Sequence, residues 1–79
     1  MSDVIWRGTV DNNKFECQVF RVDENTGQLV VSVVESREIL VDAPVTLAYG
    51  AVLGPDVDDV SEWMGISIDA IDNWIANAD

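Results

Sequence analysis

Hydrophobic and polar residues alternate with a period of two through the first half of the chain, then recur at spacings of three and four toward its end. Val4, Trp6 and Val10 alternate with Arg7 and Thr9, which predicts a strand with Trp6 turned inward and Gly8 marking a bulge or close packing. Asp11-Asn12-Asn13 predicts a compact turn, because these side chains tolerate left-handed geometry and bond their own backbone. Residues 14–22 then place Phe15, Cys17 and Val19 on one face, and Phe20 and Val22 suggest burial of both faces at the far end. Asp23 to Gly27 has the composition of a longer hairpin loop closed by Gly in the left-handed position. Val30, Val31, Val33 and Val34 form a β-branched run that a helix disfavours, so 28–35 predicts a third strand. A short edge strand at 39–41 follows the turn Glu35-Ser36-Arg37-Glu38.

At Asp42 the period changes. Asp42-Ala43-Pro44 resembles a helix start, with an acceptor side chain at the cap and Pro in the first turn. Val45, Ala48, Tyr49, Val52 and Leu53 follow at helical spacing up to Gly54-Pro55, which predicts a helix over 43–53, with Gly50 weakening it and a strand over 45–49 as the competing reading. From Asp56 to about Ala76 the apolar residues Val57, Val60, Met64, Ile68, Ile71 and Ile75 share one face, predicting a final helix over 56–76 that buries that face. Asp56, Asp58 and Asp59 suit the positive end of its dipole. The prediction is an α+β fold: an antiparallel β-meander of three to four strands over 4–41, followed by two C-terminal helices.

The 79 residues suit one domain with one lean core, and 48% hydrophobic residues with three Trp exclude a disordered acidic tail. Because burial and chain entropy nearly cancel at this size, a homodimer is left open as a source of further apolar burial. Cys17 is the sole cysteine, which suits a reducing compartment and predicts a cytoplasmic protein. No basic segment with a long apolar run opens the sequence and no long apolar stretch interrupts it, so neither secretion nor membrane spanning is expected.

Charge changes the picture most. Fifteen acidic residues face four basic ones, for a net charge of −11. All four bases, Arg7, Lys14, Arg21 and Arg37, lie in residues 1–37; residues 38–79 carry nine acids and no base. Such a field repels nucleic acid and anionic lipid and attracts basic protein surfaces, although acidity also serves solubility alone. The chain has no His, which removes Ser–His–Asp and Cys–His catalysis and the commonest zinc ligand. The glycine pattern of a phosphate-binding loop is missing too. Asp56-Val57-Asp58-Asp59 invites a calcium reading, but an EF-hand loop needs Gly at its sixth position and Glu at its twelfth, where this chain has Ser61 and Ser67. Cys17, mid-strand beside Glu16, reads as a small buried apolar group. The expectation is a non-enzyme without metal or cofactor.

On the final helix Asp58, Glu62, Asp69 and Asp72 fall within about 80° of one another, a stripe roughly 20 Å long without a compensating Lys or Arg. It is either a solvated face or a docking surface. Trp63 and Trp74 project about 20° apart on one flank, with Ile66 further toward solvent, and read either as caps on the core or as interface anchors.

Trp6-Arg7-Gly8-Thr9-Val10, the loop at Asp23 to Gly27, and Leu47-Ala48-Tyr49-Gly50-Ala51 followed by Gly54-Pro55-Asp56-Val57-Asp58-Asp59-Val60 resemble small accessory proteins of actinobacterial phages. The resemblance covers most of the chain and implies a setting, the cytoplasm of an infected bacterium, without an activity. The functional expectation is a protein-binding module that docks on a basic host or phage protein through Asp58, Glu62, Asp69 and Asp72, with Trp63 or Trp74 as anchor. Two alternatives stand beside it: a nucleic-acid mimic that occupies the groove of a basic DNA-binding protein, and a self-associating assembly component.

Overall fold

A computed structural model of the chain describes residues 4–47 and 57–77. Four strands, β1 (Val4–Val10), β2 (Phe15–Arg21), β3 (Thr26–Val33) and β4 (Ile39–Thr46), form one antiparallel sheet in sequence order. One helix, α1 (Val57–Asn77), lies across a single face of that sheet, packing on β4 and β2. The fold is therefore α+β, with a β-meander as predicted but one helix among the described residues instead of two.

The period-two pattern works as alternation across the sheet. Cys17 pairs with Val31 and Val19 with Leu29, and all four are fully buried beneath α1. Their neighbours Gln18, Val30 and Gln28 occupy the opposite, open face, the arrangement an antiparallel sheet adopts when one side is covered. The β1–β2 turn contains three consecutive left-handed residues, Asp11, Asn12 and Asn13, at φ 56°, 55° and 67°. Asn and Asp are the non-glycine residues that accept this conformation most readily.

Four details depart from expectation. In β1 the register shifts between Val4 and Trp6. This irregularity breaks the simple alternation, leaving Val4 exposed opposite Phe20 while Trp6 turns toward the core. The far end of β2 is not buried on both faces, since Val22 is 60% exposed. Gly27 does not close the loop in a left-handed conformation; it is the second residue of β3, paired with Arg21 and Val45. Its missing side chain matters for space, because a Cβ there would stand 2.8 Å from Val19 Cγ1 and 3.1 Å from Leu47 Cδ2. Gly8 has a similar role, the close packing expected of it, since a Cβ there would stand 2.8 Å from the Trp6 indole.

The fourth departure concerns Asp42-Ala43-Pro44, which lies inside β4 and starts no helix. Residues 43–46 are strand, as the competing reading had it in part, while residues 48–53 of the predicted helix lie outside the described residues. Sheet pairing explains the outcome. The Leu47 N–H donates to the Asn25 carbonyl at 2.8 Å, and bonded positions recur at every second residue, at Val45–Gly27 and Ala43–Leu29. Pro44, opposite Gln28, falls between them, so its missing N–H lies on the open edge of the sheet, where proline is tolerated.

Candidate functional site

α1 carries every residue proposed for partner contact, so the way it sits on the sheet decides what it can offer. Its buried residues are Asp59, Trp63, Ser67 and Ile71, each four apart, with Val60, Ile66 and Trp74 partly buried against the same core. The face predicted for burial had Val57, Val60, Met64, Ile68, Ile71 and Ile75; only Val60 and Ile71 serve that purpose. By projection the helix is turned about 80° from the predicted orientation. Ile66, expected toward solvent, packs on the core.

The physical reason is bulk. A buried Trp removes up to about 250 Å² from water, worth about 6 kcal/mol at 25 cal/mol per Å², against about 1.5–3 kcal/mol for a Val or Ile. Full burial of Trp63, partial burial of Trp74 and the packing of Ile66 together match what is given up by leaving Val57, Met64, Ile68 and Ile75 outside. Trp63 is 0% exposed, and its ring lies 5.7 Å from that of Trp6 at a 50° tilt. Its indole N–H is buried without a hydrogen-bond partner. Trp74 is half-buried, its ring edge-on to Phe15 at 5.8 Å, and its N–H donates to the Glu38 carboxylate from the turn before β4. That contact between α1 and Glu38 was not foreseeable from local pattern, because it joins residues 36 apart in the chain.

Trp63 therefore leaves the candidate contact surface: as part of the core it cannot reach a partner without unfolding. Trp74 keeps a partly accessible edge beside a cleft of about 430 Å³ between the end of α1 and β4, lined by Glu38, Leu40, Asn73 and Asn77 among others. Asp58, Glu62, Asp69 and Asp72 are all exposed. Among the described residues none of the four takes part in an ion pair or a side-chain hydrogen bond. Asp59, by contrast, is on the buried side of the helix.

The turn of the helix has a second consequence, missed in the sequence. Val57, Ile68 and Ile75 are 77%, 43% and 53% exposed, and Met64 between them is half-buried. These four make an apolar row along the solvent side of α1, adjoining the carboxylates. The signal was present in the sequence as two overlapping apolar faces on one helix, one of which carries both Trp63 and Trp74.

Cys17 behaves as a core residue. It is fully buried, and burial pushes its thiol above the ordinary value, with the Ser67 side chain pulling it back and Glu16 adding to the rise. The Ser67 hydroxyl in turn donates to the Trp63 carbonyl at 2.7 Å. A thiol held protonated in this way is a poor nucleophile. Native protein is expected to resist thiol reagents at pH 8 that label the urea-unfolded chain readily. The sign of the pH effect follows from proton binding: above the ordinary thiol value of 9.0 the unfolded chain has lost a proton that the folded chain retains, so stability falls as pH rises. The urea midpoint of the wild type should drop between pH 8 and pH 10 by more than that of Cys17→Ala.

Among the described residues no group of three or more Cys, Asp or Glu is arranged to hold a metal ion, and no helix is long and apolar enough to cross a membrane. No family model, curated protein or solved structure matches the chain.

Proposed function

We propose that the protein is a binding module that docks through α1 on a basic surface of another protein. The observation that carries this reading is the row Asp58, Glu62, Asp69 and Asp72, exposed together on a helix of 21 residues without Lys or Arg. Helices that face only water usually interleave both signs, because like charges one turn apart repel and opposite charges stabilise. The run forgoes that support, and its last turn has no base to offset the dipole. A cationic partner supplies both. The resemblance to phage accessory proteins would put that partner, a host or phage protein, in a bacterial cytoplasm.

A partner surface with apolar as well as basic side chains is favoured over the DNA-binding groove that a nucleic-acid mimic would occupy, since a groove shaped for phosphates offers the exposed Val57, Ile68 and Ile75 nothing to bury against. It is favoured over self-association by the net charge of −11, which sets two copies against each other. The test is capture from host lysate across a salt series, comparing the wild type with a variant carrying D58N, E62Q, D69N and D72N. Specific partners held by the wild type at low salt should be lost from the variant; identical capture by both proteins contradicts the proposal.

A further inference from the structure

We infer that the occupant of this surface is a basic amphipathic helix, seated lengthwise on the apolar row of α1 with its cations turned toward the carboxylates. The inference rests on the reading of α1 as the docking element and goes further by naming the partner's secondary structure and chemistry. Val57, Met64, Ile68 and Ile75 follow one another at intervals of seven, four and seven. These are spacings of a heptad seam, in which seven residues repeat a position and four lead from d to the next a, so the side chains face a neighbouring helix along one line. The seam runs 18 residues from Val57 to Ile75, about 27 Å at 1.5 Å per residue, enough for five turns of a partner helix.

Charge selects which helix. By projection Asp72 lies about 60° and Asp58 about 100° from the centre of the seam, with Asp69 at about 120° and Glu62 at about 140°, all on one side of it. A partner helix that buries its own aliphatic row on this seam runs its flank alongside Asp72 and Asp58, while Asp69 and Glu62, further round α1, add attraction at longer range, and none of the four has a base on its own helix. Lys or Arg on that flank completes the contact. A second copy of α1 would bring four more carboxylates instead, and an anionic lipid surface would be repelled.

The test uses the full chain and three synthetic peptides of about 20 residues: a basic amphipathic helix with Leu or Ile at a and d positions, the same composition scrambled so that the apolar row is broken, and the ordered peptide with Lys replaced by Glu. Titration at moderate salt should show saturable binding of the ordered basic peptide at least tenfold tighter than of the other two. The I68S/I75S double variant should lose tenfold or more in affinity for the ordered peptide, while its thermal midpoint stays close to that of the wild type, because both residues are exposed. Binding of the ordered and scrambled peptides with equal affinity, undiminished in I68S/I75S, overturns the inference while leaving the charge-based function standing. Failure of the carboxylate variant to weaken any basic peptide removes that function as well. A thermal midpoint lowered in I68S/I75S as by a core substitution overturns the inference by showing the seam covered from within the chain. A wild-type dimer in light scattering that I68S/I75S dissociates overturns it in favour of a second copy.

Discussion

Replacing Trp63 with Ala is expected to cost about 3–5 kcal/mol, the range for deleting a large aromatic side chain from a core. At about 0.05–0.15 kcal/mol per residue, a chain of 79 residues has roughly 4–12 kcal/mol to lose, so Trp63→Ala should give up a quarter of its stability or more, with a correspondingly large fall in urea midpoint. The deletion removes the ring that lies against Trp6 and opens a void between α1 and the sheet. Trp63→Phe should retain considerably more stability, because it keeps an aromatic ring in place and removes an indole N–H that is buried without a partner. Urea unfolding followed by circular dichroism measures both. A midpoint for Trp63→Ala near that of the wild type would mean the indole belongs to the surface.

Gly27→Ala is expected to cost about 1–3 kcal/mol through overpacking, although the substitution adds a single methyl group. Gly27 sits in β3 between Arg21 and Val45, and the added Cβ would meet Val19 Cγ1 at 2.8 Å, Leu47 Cδ2 at 3.1 Å and the Phe20 carbonyl oxygen at 3.1 Å. The backbone oxygen cannot rotate away as a side chain can. If the crowding is chiefly with Val19, the Gly27→Ala and Val19→Ala changes should couple, the double variant losing less than the sum of the two singles by about 0.5–3 kcal/mol. Strict additivity in the same urea experiment would assign the cost of Gly27→Ala to the backbone contact instead. A stabilised Gly27→Ala would contradict the packing of this strand altogether.

The strands were legible because they depend on short-range information. Alternation places Phe15, Cys17 and Val19 inward, the run from Val30 to Val34 marks a strand without saying which of its faces is buried, and Asp11-Asn12-Asn13 names its own turn. Arg37 was not legible: it adopts a left-handed φ of 62° although Arg has no preference for it, held there by its N–H donating to the Val33 carbonyl while Val33 N–H donates to Glu38. The sequence around Pro44 misleads for a related reason. A cap residue and a first-turn Pro are local signals of a helix, and pairing with β3 overrides them at an edge where proline costs no ladder bond.

The candidate site divides in the same manner. That the four carboxylates share a side of a helix follows from spacing alone, and they are exposed on α1 as the pattern requires. Which apolar face the helix buries does not follow from spacing, since both faces satisfy the helical period. Counting residues chooses the aliphatic row; the sheet instead receives the face with the two largest side chains, Trp63 and Trp74. The change removes Trp63 as an anchor and supplies Val57, Ile68 and Ile75 in its place, so the acidic helix offers apolar contact from a different side.

The orientation of α1 is the claim on which the rest depends, and isoleucine methyl spectra recorded with a soluble paramagnetic probe test it most directly. The signals of Ile68 and Ile75 should be strongly attenuated by the probe, with exposed Ile39 as internal reference, while Ile71 is protected. Protection of Ile68 and Ile75 to the level of Ile71 would contradict the account, because α1 would then bury its aliphatic row and have no seam to offer a partner.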